Sequence, residues 1–294
     1  MAFASVAELV NKALDGKTNI STIVIEREME ESNRTREEIL AQMDYNWEVM
    51  LASMERGLKE GLRSKSGLTG GDAFKLAQAG KVQKYVSGRP MMDAVARAIA
   101  VAEVNSAMGK IVAAPTGGSC GILPAVLYEI STGYGATREQ IVNALFTAAG
   151  IGTVIGSKAF ISGAAGGCQA EVGSASCMAA VAGVELAGGD PEQAAHAGAM
   201  ALKNLLGLVC DPVAGLVEVP CIKRNAIGTA GALIAVDMAL AGIKSVIPLD
   251  DTISAMREVG LSLPVSLKET AGGGLANTPC ARRLEESLNL GDFN

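Results

Sequence analysis

The chain has 294 residues, of which 49% are hydrophobic, and a formal net charge of −6 at pH 7. The length and apolar content suffice for a large buried core, and the acidic charge argues against a nucleic-acid partner. The N-terminal stretch MAFASVAELVNKALDG mixes charged and apolar residues, unlike a secretory signal, and the apolar segments near 111–128 and 172–186 are too interrupted to span a membrane. We therefore expect a cytoplasmic protein with neither a nucleic-acid nor a membrane partner.

Residues 1–62 are predicted to be mostly helical. Thr35 and Glu38 have the spacing of a capping box, and apolar residues recur at steps of three and four from Ile39 to Leu62. Such a stripe is typical of a helix face packed on a core, although an interface with another subunit has the same pattern.

The loop SKSGLTGGD, residues 64–72, contains Lys65 and Thr69. Its glycines allow close backbone approach, so Thr69 and the backbone amides could hold an anion. The alternative interpretation is a turn that caps the following helix. An Ala-rich helix is predicted next, over residues 91–108.

The segment APTGGSCGILPA, residues 114–125, brackets a turn of small residues between two prolines. Thr116, Gly117, Gly118 and Ser119 would present backbone N–H groups and two hydroxyls at the start of a helix, which is a suitable place for a carboxylate. The segment lacks the GKS or GKT ending of a P-loop.

Further helices are predicted towards the C-terminus. One starts with a second capping-box pattern at Thr137, and another starts after Asp190 as N-cap. The predicted ranges are 137–152, 175–186, 191–208, 226–241 and 249–260. Two short runs, 20–25 and 213–219, resemble strands, but no βαβ alternation is present. The sequence thus predicts an all-α fold, with a single helical catalytic domain over 1–294 rich in Ala and Gly, glycine-rich active-site loops and a possibly flexible tail, 271–294.

Three of the six cysteines lie in turns punctuated by glycine and proline. They are Cys168 in SGAAGGCQAEVG, Cys210 in GLVCDPVAGLVEVP and Cys221 in VPCIKRNA. Separations of 42 and 11 residues match neither a CxxC redox pair nor a zinc ribbon. Burial, catalysis and metal binding all remain open from the spacing, whereas Cys120 and Cys177 fit simple packing better.

The sequence offers few residues suited to a Ser-His triad or to pyridoxal phosphate catalysis. The only histidine, His196, lies inside an Ala-rich helical segment, so a Ser-His triad is disfavoured. Pyridoxal phosphate needs a Schiff-base lysine, for which Lys65 and Lys158 qualify by neighbourhood alone. Three thiolates do suit a 4Fe-4S cluster, in which one iron without a protein ligand can act as a Lewis acid.

The segments SKSGLTGGDA, APTGGSCGILPA, SGAAGGCQAEVGSASCMAA, GLVCDPVAGLVEVPCIKRNA and KETAGGGLA resemble the α chain of iron-sulfur-dependent L-serine dehydratase. The similarity extends over essentially the whole chain. It implies an all-helical catalytic chain that converts L-serine to pyruvate and ammonia without pyridoxal phosphate. It also implies that Cys168, Cys210 and Cys221 hold a 4Fe-4S cluster, and that a separate β chain is a partner in an oligomeric enzyme.

In the implied reaction, the open iron polarises the serine hydroxyl while a base removes the α-proton. We assign the substrate carboxylate to the turn 116–119. Lys65 is the candidate base within this chain, and a residue of the β chain is the alternative. Single-chain family members end in a cysteine soon after a GGLA segment; here Cys280 follows that segment, with fourteen more residues beyond it, and is a possible resting-state fourth ligand.

Two other functions are compatible with the same residues. One is a cluster-dependent dehydratase of another small hydroxy amino acid, such as threonine. The other is a non-catalytic subunit that carries the cluster. The lack of CxxC spacing argues against an electron-transfer ferredoxin.

Overall fold

A computed structural model describes residues 3–288. Within this range the chain forms thirteen α-helices, which are α1 (Val6–Asp15), α2 (Ile20–Ser32), α3 (Arg36–Gly57), α4 (Asp72–Val82), α5 (Arg89–Ser106), α6 (Ile122–Tyr134), α7 (Arg138–Lys158), α8 (Gly163–Gly166), α9 (Ser174–Leu186), α10 (Pro191–Lys203), α11 (Cys221–Leu240), α12 (Leu249–Ser262) and α13 (Pro279–Ser287). Short 3₁₀ and π segments join them, at Gly117–Ser119, Gln169–Gly173, Val213–Gly215, Val265–Leu267 and Gly274–Asn277. No strand forms in the described part of the chain, so the predicted all-α fold is confirmed.

Helix α9 is the centre of the fold. Nearly all of its residues are buried, and α6, α7, α10 and α11 pack around it. Helix α5 lies on the outer side of α11 and also contacts α3 and α4, while α2 covers α7. A helix that is apolar on every side is typical of the core of a large helical protein.

Small residues let the surrounding helices approach closely. Gly57, at the end of α3, faces the backbone of α5, and a Cβ built on it would lie 2.2 Å from the carbonyl oxygen of Ala100. No side chain can occupy that position without separating the two helices. The abundant Ala and Gly of the sequence thus serve helix packing.

The predicted caps are present. Glu38 N–H donates to Thr35 Oγ1 at 3.2 Å, and Thr35 N–H donates to the Glu38 carboxylate at 2.9 Å. The same reciprocal pair joins Thr137 to Gln140 at the start of α7. Each cap satisfies helix N–H groups that have no partner within the helix.

Several predicted boundaries differ from the observed ones. Helix α3 ends at Gly57, before Leu62, because the next residues form turns with Gly61 at φ 89°. The segment predicted to be helical over 191–208 ends at Lys203, ahead of a left-handed Gly207. Helix α11 begins at Cys221 rather than at residue 226, directly after Pro220. A cysteine expected in a loop therefore lies in the first turn of a helix.

The two β-like runs do not form strands. Residues 20–25 lie in α2, where Ile20, Val24 and Ile25 are buried against α7. Burial of these β-branched side chains therefore outweighs their modest preference for strands. Residues 213–219 form a 3₁₀ turn and a loop.

The predicted tail 271–294 contains ordered structure as far as it is described. The 3₁₀ turn Gly274–Asn277 and helix α13 occupy most of it, and residues 289–294 lie outside the described residues. The Thr278 hydroxyl accepts from Ala281 N–H and caps α13. The flexibility of the tail stays a prediction.

Helix α7 is long and apolar enough, by length and composition alone, to cross a membrane. However, 61% of its most apolar window is buried inside the protein. Its apolar residues therefore serve mainly to pack against α2 and α9.

Candidate active site

The three candidate ligands lie in three different segments of the chain. They are Cys168, Cys210 and Cys221. Cys168 comes directly before the π-helical turn Gln169–Gly173, Cys210 forms an isolated parallel bridge with Lys268, and Cys221 is the first residue of α11. Their exposed fractions are 2%, 3% and 7%. All three positions are thus fixed by backbone structure rather than by mobile loops.

Backbone hydrogen bonds hold the first two of these segments together. Gln169 N–H donates to the carbonyl of Leu208 at 2.9 Å, and the Gln169 side chain accepts from Gly207 N–H at 2.9 Å. Cys210 N–H in turn donates to Leu267, also at 2.9 Å. The residue after Cys168 is therefore tied to the residues that lead into Cys210.

The three thiols are electrostatic neighbours. Burial raises the pKa of Cys168 to about 11 and that of Cys221 to about 12, and it raises the pKa of Cys210 further. The charge of Cys168 adds to this rise at both Cys210 and Cys221. None of the three forms a disulfide. The three cysteines that the sequence singled out are therefore buried, unpaired and within electrostatic range of one another.

Two charged residues lie beside the thiols. Glu171 Oε2 is 3.9 Å from the Cys210 sulfur, and Arg224 acts electrostatically on Cys168 and Cys221. Burial raises the pKa of Glu171, and the charge of Glu269 raises it further. Sequence reasoning did not select Glu171 or Arg224, although both lie within three residues of a selected cysteine.

The turn of Thr116–Ser119 lies next to this cysteine centre. The Thr116 hydroxyl donates to Glu171 Oε1 at 2.7 Å and lies 3.2 Å from the Ser119 hydroxyl. Ser119 itself is fully buried. A Cβ on Gly118 would lie 3.0 Å from Glu171 Oε1, so the turn and the carboxylate are in close contact.

Two asparagine side chains fix this turn. Asn105 of α5 donates to the Gly117 carbonyl at 3.1 Å. Asn225 of α11 donates to the Gly118 carbonyl at 2.7 Å and accepts from Gly121 N–H at 2.9 Å. Asn225 is 1% exposed, so these bonds are shielded from water. Sequence reasoning did not select Asn225, although it lies one helical turn after Cys221.

The loop 64–72 binds a carboxylate of the chain itself. Ser66 and Thr69 donate their hydroxyls to the two oxygens of Glu218 at 2.7 and 2.6 Å. Helix α4 follows the loop with Gly71 as N-cap. The structure therefore agrees with both interpretations of the loop. The loop holds the Glu218 carboxylate, and it also leads directly into helix α4.

Lys65 and Cys280 are both exposed. Lys65 N–H donates to the Ser106 carbonyl at 3.1 Å, so the backbone of Lys65 is fixed next to the end of α5. Its exposure removes the desolvation on which its assignment as a base relied, and that role stays a prediction. Cys280 lies in the first turn of α13, and the possibility that it caps a cluster likewise stays a prediction.

The segment before Cys280 reaches the cysteine centre. Leu275 N–H donates to Asp211 Oδ2 at 2.7 Å, and Asp211 is the residue after Cys210. Cys120 and Cys177, which the sequence assigned to packing, are both fully buried. Among residues 3–288, no three His, Cys, Asp or Glu side chains are arranged to hold a single metal ion.

Comparison with known proteins agrees with these features. The family model described as serine dehydratase alpha chain matches residues 15–276. A probable L-serine dehydratase alpha chain of Bacillus subtilis is 54% identical over 97% of this chain and 95% of its own length. The L-serine dehydratase alpha chain of Peptoniphilus asaccharolyticus is 43% identical over 97% of this chain and 98% of its own. An L-serine dehydratase of Streptomyces coelicolor is 41% identical over 92% of this chain but 59% of its own length. The chain therefore belongs to the serine dehydratase alpha chain family.

Proposed function

We propose that this chain is the catalytic α chain of a cytoplasmic L-serine dehydratase, which converts L-serine to pyruvate and ammonia together with a separate β chain. The observation that carries the proposal is the convergence of Cys168, Cys210 and Cys221, buried and unpaired, from three separate segments of a chain in this family. The names of the relatives in Bacillus and Peptoniphilus support L-serine as substrate and the α-chain role.

The cysteine centre fits a 4Fe-4S cluster. Ligands of such a cluster bind different iron atoms, so they need not converge on one point as the ligands of a single ion do. Gly163 leaves space beside the Cys210 sulfur. A Cβ at position 163 would lie 2.6 Å from that sulfur, so any larger residue would fill this space. A donor set of three buried thiols is also the soft set that iron-sulfur clusters prefer.

When bound, the cluster supplies a Lewis-acidic iron, which has no cysteine ligand among these three and can polarise the hydroxyl of the substrate. The chain's own residues position the amino acid. The backbone amides of Gly117 and Gly118 form the proposed site for its carboxylate. Asn105 and Asn225 donate to the carbonyls of those glycines, so side chains from two helices hold the turn. Thr116 joins this turn to Glu171 beside Cys210.

The proposed β chain would complete the enzyme. The relative from Streptomyces matches this chain over 59% of its own length, so that protein contains a further segment outside the match. We propose that a separate polypeptide supplies the equivalent segment here, in an oligomer with the α chain. Lys65 remains the proposed base within this chain.

Anaerobic purification followed by assay tests the proposal. Wild-type chain should be brown, with thiolate-to-iron charge-transfer absorption, and should form pyruvate from L-serine when co-expressed with a β chain. L-threonine as sole substrate distinguishes the alternative dehydratase, and iron binding without any turnover distinguishes the cluster carrier. A colourless, iron-free protein with full activity would contradict the proposal.

A further inference from the structure

Arg224 links two of the segments that contain the proposed cysteine ligands. It lies on α11, three residues after Cys221. Its Nη1 donates to the carbonyl of Val209 at 2.8 Å, and its Nη2 lies 2.8 Å from Asp211 Oδ1. Val209 and Asp211 are the residues on either side of Cys210, so one guanidinium holds both flanks of that cysteine.

The ion pair of Arg224 with Asp211 is largely enclosed by the protein. The side chains of Arg224 and Asp211 are 16% and 4% exposed, so their charges interact with little screening by solvent. Asp211 uses its other oxygen to accept from Leu275 N–H, which attaches the C-terminal segment to the same pair.

We propose that Arg224 is a positioning residue for the iron-sulfur cluster: it ties α11, which begins with Cys221, to both flanks of Cys210 and supplies a positive charge near these two ligands. This inference rests on the proposed function, because it concerns the cluster that Cys168, Cys210 and Cys221 would hold. Residues around metal ligands orient them, and their loss typically lowers metal affinity by about 10- to 100-fold.

The chemistry of arginine suits this role better than that of lysine. A guanidinium presents several N–H donors in a rigid plane, so it can reach the Val209 carbonyl and the Asp211 carboxylate at the same time. An ammonium keeps the charge but is a compact group on a flexible stem. Replacing Arg224 with Lys therefore separates the contribution of charge from that of geometry.

Arg97 provides a matched control away from the site. It forms an ion pair with Glu129 at 3.2 Å, stacks on Tyr128 at 4.2 Å, and is 21% exposed. Its burial and pairing are similar to those of Arg224, but it contacts neither a cysteine nor the residues next to one in these interactions. Loss of either arginine removes a partly buried ion pair, whereas loss of Arg224 alone should affect the cluster.

The test compares Arg224→Gln and Arg224→Lys with Arg97→Gln and Arg97→Lys in the α chain co-expressed with its β chain. After anaerobic reconstitution, the rate of iron release to a chelator and the midpoint potential of the cluster are measured, and circular dichroism checks folding. Arg224→Gln should release iron roughly tenfold faster than wild type. Its cluster should also have a lower midpoint potential, because reduction adds negative charge and the variant lacks the positive charge that stabilises the reduced form. Arg224→Lys should also release iron faster but keep a potential near that of wild type.

Both Arg97 variants should match wild type in iron release and potential. A merely structural role for Arg224 would lower thermal stability without moving the potential. A wild-type rate of iron release or an unchanged potential in Arg224→Gln would overturn this inference alone. Wild-type protein that binds no iron would overturn the proposed function as well.

Discussion

Thr116 donates its hydroxyl to Glu171 at 2.7 Å, and this bond links the turn proposed for the substrate carboxylate to the segment that follows Cys168. The hydroxyl is therefore engaged with a carboxylate of the protein in the structure. The charge of Glu171 is close to the turn, and burial raises the pKa of this residue. The turn proposed to bind the substrate carboxylate is thus connected to the cysteine centre through one hydrogen bond.

Replacement of Thr116 with Val should weaken substrate binding. The change removes the Thr116 hydroxyl that donates to the Glu171 carboxylate at 2.7 Å, and loss of a hydrogen bond to a charged group costs about 1.5–3 kcal/mol. We expect KM for L-serine to rise roughly tenfold, which corresponds to about 1.4 kcal/mol. Steady-state kinetics and urea unfolding measure the two effects.

Thr132→Val is the control for this prediction. Thr132 is exposed on α6 and donates its hydroxyl to the Tyr128 carbonyl at 2.9 Å, within its own helix. Its replacement should leave KM unchanged. Equal KM values for wild type and Thr116→Val would show that the turn does not bind the substrate.

The cysteines should fall into two groups by iron retention. Serine in place of Cys168, Cys210 or Cys221 removes one soft ligand, and each variant should lose most of its iron and activity. Cys177→Ala should keep both, because Cys177 is fully buried within α9 and serves packing. Iron analysis and visible absorption after anaerobic purification report the result. Iron loss in Cys177→Ala with retention in Cys210→Ser would refute the ligand assignment.

Gly163→Ala should disturb the site through sterics alone. The new methyl group would lie 2.6 Å from the Cys210 sulfur and 2.8 Å from Glu171 Oε2, so one of these side chains must move. Overpacking of this kind costs about 1–3 kcal/mol. We expect lower stability and faster iron release, measured by chemical unfolding and chelator challenge.

The matched control for that change is Gly133→Ala on α6. No atom lies within 4 Å of a Cβ at Gly133, and alanine favours the helix interior by about 0.5–1 kcal/mol. This variant should be at least as stable as wild type and should retain its iron. If Gly163→Ala is equally stable and also retains its iron, then the close packing at Cys210 is not required for stability or for iron binding.

Glu185 should make the protein less stable as the pH rises. Burial raises the pKa of Glu185 above its ordinary value of 4.5, even though Ser21 N–H donates to it at 3.3 Å. The folded protein therefore holds this proton more tightly than the unfolded chain does. The stability that this preference contributes is fully present below pH 4.5 and is lost as the pH rises through the folded-state pKa.

Glu185→Gln should consequently gain stability relative to wild type as the pH rises from 4.5 towards neutrality. Urea unfolding of both proteins over a pH series measures the difference, with Glu55→Gln at an exposed site of α3 as control. A difference that stays constant over the whole series would show that Glu185 is not destabilised by ionisation.

The fold was predictable where local signals agree with packing. The capping boxes at Thr35 and Thr137 and the small-residue composition led to the correct fold class and most helices. Boundaries were less predictable, because tertiary contacts decide them. The run that starts at Ile20 has a strand-like composition, yet its burial against α7 makes it helical.

The site was predictable only in part, since sequence shows candidates but not their distances. Cys168, Cys210 and Cys221 stand out through their turn contexts, and the structure buries all three within electrostatic range of one another. Arg224 and Asn225 do not stand out, because they belong to a helix and their partners are distant in sequence. Lys65 was selected for a buried environment that the structure does not provide.

The separation of the cysteines has a consequence for how the proposed cluster would be assembled. Cys168 and Cys210 are 42 residues apart, and α9 and α10 must pack before the two meet. Iron is therefore expected to enter last, into a framework that the helices have already built, unlike a zinc finger that folds around its metal. Chelated protein should accordingly keep its helical circular dichroism signal, and an unfolded chelated chain would show that iron delivery directs folding instead.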